Sequence, residues 1–260
     1  MEKSMKQQHE TQKTNILIFP VGKHPYNGLH DETLLSNTIR WLIVGSFPPP
    51  RYVSFGGQLR QRLPEGDMDY YYGSRDNAFW SLLQEVFGEN WSLDAADKEI
   101  PKHLIKSWLR KHNVGVIDII QSAARRGNSA SDSSLQVFST APVGGILPLM
   151  PQIERVFCTS FYVKNLLIKQ MRVDPGIRAL AVDHDDRRLL HVELEDMKLD
   201  IYTLISPSPQ AFKSLARDPL YRANPGAWPS LAAFRLEQYR RALLPVLEKE
   251  GLKNPEPDFT

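Results

Sequence analysis

Two short proline-rich strings constrain this chain most: GSFPPP at Gly45–Pro50 and SPSP at Ser206–Pro209. Each directly follows an apolar run that reads as a buried strand, Trp41-Leu42-Ile43-Val44 and Ile201-Tyr202-Thr203-Leu204-Ile205. A loop of small residues and prolines at a strand's C-terminal end stands where open α/β sheets place their ligand site. Proline fixes φ near about −65° and has no N–H, so such loops are stiff and their exposed amides belong to Ser and Gly. Stiff, hydroxyl-bearing loops suit a phosphate backbone. The pattern points to a nucleic-acid enzyme.

The length of 260 residues suits one domain with appendages. Residues 1–14 read as a disordered N-terminus, 15–250 as a single α/β domain and 251–260 as a tail. No apolar run approaches the ~20 residues that span a bilayer. The N-terminal MEKSMKQQHETQKT lacks an apolar signal core, which predicts a cytoplasmic protein without membrane contact. A single Cys158 excludes an internal disulfide and a four-cysteine cluster, and its strand-like setting predicts a buried, inert thiol. A net charge of +2 is too small to indicate nucleic acid by itself. Local charge adds weight: Arg51, Arg60, Arg62 and Arg75 surround the first loop, and Lys213, Arg217 and Arg222 follow the second.

Apolar residues at helical spacing (Phe79, Trp80, Leu82, Leu83, Val86, Phe87) predict a helix from Asn77. A second helix is expected over Asp97–Lys111, with Ile100, Leu104, Ile105, Trp108 and Leu109 inward. Strands are expected at Trp41–Val44, Val114–Ile120 and Val156–Thr159, and a helix near Tyr162–Met171. Leu189–Leu194 and Leu199–Ile205 read as a hairpin, and Ser230 as the cap of a last helix ending near Leu247. Arg51–Asp69 and Ala124–Ser134 read as polar loops. Strands alternating with helices argue for a parallel sheet covered on both faces.

At Asp69–Trp80 the chain reads DYYYGSRDNAFW. With GSFPPP before it and SPSP after it, this stretch resembles the uracil-DNA glycosylase superfamily, closest to its mismatch-specific and hypoxanthine-DNA glycosylase branch. Val116-Ile117-Asp118-Ile119-Ile120, Arg126-Gly127 and Ser131-Asp132-Ser133 are similar to that branch's middle region. The resemblance runs in patches over residues 40 to 245 and implies an α/β fold, a three-layer α/β/α sandwich around a short, mainly parallel central sheet. It also implies hydrolysis of the N-glycosidic bond of a deaminated base, hypoxanthine or uracil in type, flipped out of DNA. Neither metal nor organic cofactor is implied, and a monomer acting on DNA with a damaged or mispaired base is expected.

By the same resemblance, Asn77 matches the functional Asn of the NxFW block and is the first catalytic candidate, orienting water through its carbonyl. Asn is also a good helix cap, so the residue carries two readings. Phe47 stands where several branches place a water-holding Asp or Asn, and is expected to form one wall of the base pocket instead. Tyr72 matches the aromatic that stacks on the flipped base. Asp118, at a strand end, is the second catalytic candidate, as electrostatic stabiliser or water ligand, with a structural hydrogen-bonding role as its rival. Gly45 and Ser46 belong to the first motif; Thr159 falls where the branch has Asn and would meet the base edge. Ser206 replaces the His of the uracil-specific motif, and with Ser208 is expected to touch phosphate. Gln210 or Phe212 is the candidate wedge that fills the gap left by the base. His184 and His191 lack partners at metal-ligand spacing, and His24 and His30 lie in an atypical N-terminal segment, so none of the four suggests a site. Phe47, Thr159 and Ser206 also leave open a glycosylase-fold DNA-binding protein with weak or no turnover.

Overall fold

The computed structural model describes residues 21–26, 38–55, 62–127, 129–173, 176–194 and 197–249. Strands run over Val21–Lys23 (β1), Trp41–Gly45 (β2), Ser54–Phe55 (β3), Val114–Asp118 (β4), Ile120–Arg125 (β5), Leu135–Thr140 (β6), Arg155–Cys158 (β7), Ile177–Val182 (β8), Leu189–Leu194 (β9) and Lys198–Thr203 (β10). Helices cover Phe79–Phe87 (α1), Glu99–Lys111 (α2), Val143–Ile146 (α3), Phe161–Met171 (α4), Phe212–Leu215 (α5), Pro219–Ala223 (α6) and Leu231–Lys249 (α7). None of the described helices is long and apolar enough to cross a membrane. The expected disordered terminus 1–14, the tail 251–260, His30 and Arg60 lie outside the described residues.

A central sheet of order β4-β2-β7-β10-β9-β8 organises an α/β fold. Strands β4, β2, β7 and β10 pair in parallel, while β9 and β8 add antiparallel. The expected mainly parallel sheet is therefore a mixed one. Every residue of β2 is buried, as a strand covered on both faces must be. Trp41 and Ile43 face one core with α1, α2 and α7, whereas Leu42 and Val44 face a second core with α4.

A second sheet, order β3-β1-β5-β6 and antiparallel throughout, was not expected. It corrects the three-layer α/β/α picture, because Ile120 and Ala123 of β5 join α4 in covering the second face. It also corrects the single strand Val114–Ile120 and the loop from Ala124. The chain leaves the central sheet after Asp118 and enters the other at Ile120, with Ile119 fully buried between them. The amides of Ile119 and Ile120 bond Gly45 O and Ser46 O, which fastens this turn to the first proline-rich loop.

In α1 every apolar position that predicted the helix is buried. In α2 the buried stripe is Pro101, Ile105, Trp108 and Leu109, and Ile100 and Leu104 lie off it, exposed rather than inward. Ser230 Oγ accepts from Ala233 N at 3.1 Å at the start of α7, as a cap should. Cys158 is buried in β7, and burial pushes its thiol up to about 12, too high for a thiolate at neutral pH.

Candidate functional site

The C-terminal ends of the parallel strands open onto one cleft of about 620 Å³. Ser46 and Phe47 enter it after β2, Asp118 at the end of β4, Thr159 after β7, and Ser206, Ser208 and Gln210 after β10. Tyr72 and Asn77 line it from the segment before α1. Gly45 lies beneath, paired in register with Asp118. Residues expected from stretches far apart in sequence thus share one cleft. The wedge candidates separate: Gln210 stands exposed at the cleft, whereas Phe212 is half-buried with the Arg235 guanidinium 4.5 Å from its ring centre.

The tyrosine-rich segment is folded on itself. Met68 N bonds Gly73 O at 2.7 Å and Gly73 N bonds Tyr70 O at 3.0 Å. A side chain at Gly73 would lie 2.0 Å from Met68 O, so only glycine closes this turn. Tyr72 then takes a left-handed backbone (φ +53°), a conformation rare for a tyrosine. The turn aims the neighbouring rings apart: Tyr70 and Tyr71 go into the core, and Tyr72 packs 4.2 Å from Phe79 while reaching the cleft. Burial, and then the charge of Asp118, raise the Tyr72 hydroxyl well above its usual value, so it stays a neutral donor.

Asn77 Oδ1 accepts from Phe79 N at 2.9 Å, and Pro207 O accepts from Ala78 N at 3.1 Å. Asn77 thus braces the start of α1 from one residue before its N-cap, Ala78, rather than capping it. Its position in the cleft remains compatible with contact to a ligand, since a carbonyl accepts two hydrogen bonds. The Pro207 bond ties the SPSP loop to the first turn of α1. Ser208 Oγ donates to Gln210 Oε1 at 2.7 Å, and Ser208 N meets Ser206 Oγ at 3.4 Å. Both serines thus shape their own loop as well as line the cleft.

The basic residues expected around the loops divide by their partners. Arg51 is tied to Asp67, to Ser74 and, at 3.3 Å, to Asp76, so it braces the tyrosine segment. Arg62, Arg75, Lys213, Arg217 and Arg222 are exposed.

Four residues of this region had no clear sequence signal. His24 was not expected near the cleft: its Nε2 lies 2.8 Å from Asp118 Oδ2, and its side chain is fully buried. Tyr26 follows it into the cleft. Both arrive on β1, a three-residue strand too short to show a period. Asp132 lines the cleft from the loop before β6. Arg125, buried at the end of β5, joins that loop to the first proline-rich loop. It donates to Ser129 O (2.9 Å), Ser131 O (3.2 Å), Ser134 Oγ (3.2 Å), Pro48 O (3.0 Å) and Phe47 O (3.4 Å). Its guanidinium also lies 5.7 Å from the Phe47 ring centre. Only Asp132 had a hint, as part of the Ser131-Asp132-Ser133 stretch.

Burial raises the Asp132 carboxyl above its ordinary value, against the opposing pull of Ser46 and of the Arg125 charge. The folded protein therefore retains a proton that the unfolded chain has lost, and stability falls as pH rises through that window. Asn does not titrate. The melting temperature of Asp132→Asn should accordingly gain on the parent from about pH 4 upward. A difference that stays constant between pH 3 and 7 would show that Asp132 is not held against ionisation.

Fold and site together define an α/β protein with a proline-walled, tyrosine-rich cleft at the C-terminal edge of its parallel strands. No protein-family model and no curated protein matches the chain. Among solved structures, the solution NMR structure of a candidate uracil DNA glycosylase from Methanosarcina acetivorans is similar in part. The match covers 54% of this chain and 73% of that one, at 21% identity and a TM-score of 0.37.

Proposed function

We propose that the protein is a monofunctional DNA glycosylase that hydrolyses the N-glycosidic bond of a deaminated base, hypoxanthine or uracil in type. One observation carries this reading: the separate stretches that resemble glycosylase motifs converge on a single cleft. The cleft has the size range of sites that enclose a small organic group. Tyr72 and Phe47 supply apolar surface for a flipped base, and stacking returns about 1–3 kcal/mol of the extrusion cost. Asn77 and Thr159 offer polar contacts, and the serines of both proline-rich loops suit backbone phosphates.

In the reaction the C1′–N bond breaks and its electron pair leaves on the base. Water adds to C1′, and the proton it loses is the one the departing base gains. In this reading Asp118 stabilises the cationic sugar and carries that proton. The same donors would serve a non-catalytic DNA-binding protein. That second reading is favoured by the engagement of Asn77 Oδ1 with Phe79 N at the start of α1.

The test is alkali-revealed strand cleavage of duplexes containing uracil, hypoxanthine or xanthine. Release of at least one base is expected, unchanged by EDTA. Salt-sensitive DNA binding with no release from any lesion supports the binding-protein reading instead. Asn77→Ala, which removes the acceptor, should lose ~10²-fold or more in single-turnover rate, beyond the ~1 kcal/mol of stability expected from its bond to Phe79 N. An unchanged rate would leave Asn77 with a structural role alone.

A further inference from the structure

We propose that His24 is a positioning residue: it holds Asp118 by one oxygen so that the other is fixed beside Tyr72 and Gly45 at the floor of the cleft. This rests on the glycosylase reading above and assigns a role to a residue outside every motif that suggested it. The geometry has three parts.

First, the proton on His24 is placed by its neighbours. Tyr26 N donates to Nδ1 at 3.1 Å, so Nδ1 is the acceptor of the ring and Nε2 carries the hydrogen. That Nε2–H then points at Asp118 Oδ2, 2.8 Å away. Rotation of the ring is blocked by Tyr71, stacked with its centre 5.6 Å distant, and by Phe47 and Tyr26, each edge-on at 5.8 Å.

Second, Asp118 is turned by this contact. Its Oδ1 lies over Gly45, where an added Cβ would be 2.0 Å from Oδ1 and 2.2 Å from the Tyr72 hydroxyl. Both polar atoms therefore crowd the space that a side chain at position 45 would take, and Asp118 is among the residues lining the cleft.

Third, two charged groups near Asp118 do not orient it as His24 does. Asp132 is a second acid whose charge, when ionised, opposes that of Asp118. Arg125 is committed to the carbonyls of two loops. A carboxylate aimed at a developing cation is effective only when its orientation is fixed in advance. The Nε2–H of His24 supplies that restraint to one oxygen of Asp118.

His24→Leu keeps an apolar body of moderate size without the donor, and His24→Gln restores an N–H near the position of Nε2. Two measurements on the full chain separate the outcomes. The first compares affinity for duplexes carrying a cationic pyrrolidine abasic analogue and its neutral tetrahydrofuran counterpart, which needs no turnover. The parent should prefer the cation. His24→Leu should lose about 10- to 100-fold of that preference, as for one hydrogen bond to a charged group, and His24→Gln should regain most of it. The second is imidazole ¹⁵N spectroscopy, which should report a neutral ring protonated at Nε2, with a shift in Asp118→Asn.

A parent without preference for the cation overturns the proposal, as does an unchanged preference in folded His24→Leu. So does a ring protonated at Nδ1. A parent that prefers the cation yet releases no base overturns the glycosylase reading and leaves the His24 assignment standing.

Discussion

Gly45→Ala is expected to abolish base release, by ~10²-fold or more, in a protein that still folds. The reason is space rather than backbone freedom. Gly45 closes β2 beside Asp118, and a methyl there would lie 2.0 Å from Asp118 Oδ1, 2.2 Å from the Tyr72 hydroxyl and 3.0 Å from Tyr72 Cζ. Neither neighbour can step aside cheaply. Asp118 is held by His24, and Tyr72 is held by Phe79 and by its own left-handed backbone. Overpacking of this kind costs about 1–3 kcal/mol, small enough for the core to survive. Single-turnover release, circular dichroism and thermal melting would be measured together. A folded variant within a few-fold of the parent rate would remove both Asp118 and Tyr72 from the chemistry.

Arg125→Met is expected to be the most damaging change to stability, at about 3 kcal/mol. Met preserves the aliphatic stem but leaves the carbonyls of Phe47, Pro48, Ser129 and Ser131 without their shared donor. It also removes the positive charge beside Asp132. For a chain of this size the melting temperature should fall by about 5–10 °C. Asp132→Asn in the same chain should return part of the loss, because the carboxylate no longer lacks its counter-charge, whereas independent sites would simply add. Urea unfolding of the four proteins gives the coupling. Strict additivity would mean that Arg125 acts on the loops alone.

The parts of this structure that could be read from sequence are those with long, regular patterns. Trp41–Val44 is apolar throughout and became a central strand; Phe79–Phe87 repeats at helical spacing and became α1. The motif residues from Ser46 to Gln210 reached one cleft because the loops that hold them follow parallel strands. The antiparallel sheet was not legible for identifiable reasons. β1 is three residues long, and β5 and β6 mix Gln, Ser and Thr among apolar residues because each has a half-exposed face. Missing β1 meant missing His24, which that strand carries to Asp118. Ile100 and Leu104 failed differently: their spacing is helical, but the stripe that meets the core runs through Pro101 and Ile105 beside them.

The bond from Ala78 N to Pro207 O and that from the buried Tyr239 hydroxyl to Ile205 O, 2.9 Å long, have a bearing on biosynthesis. As the chain leaves the ribosome, β2 and the apolar face of α1 appear early, but the lip formed by SPSP has no seat until α7 has packed behind it. N-terminal regions emerge first, at about 5–20 residues per second, so there is an interval in which the aromatic half of the cleft exists without its opposing wall. The two walls of the cleft should therefore come together in one step, once α7 has been made, rather than build up gradually with chain length.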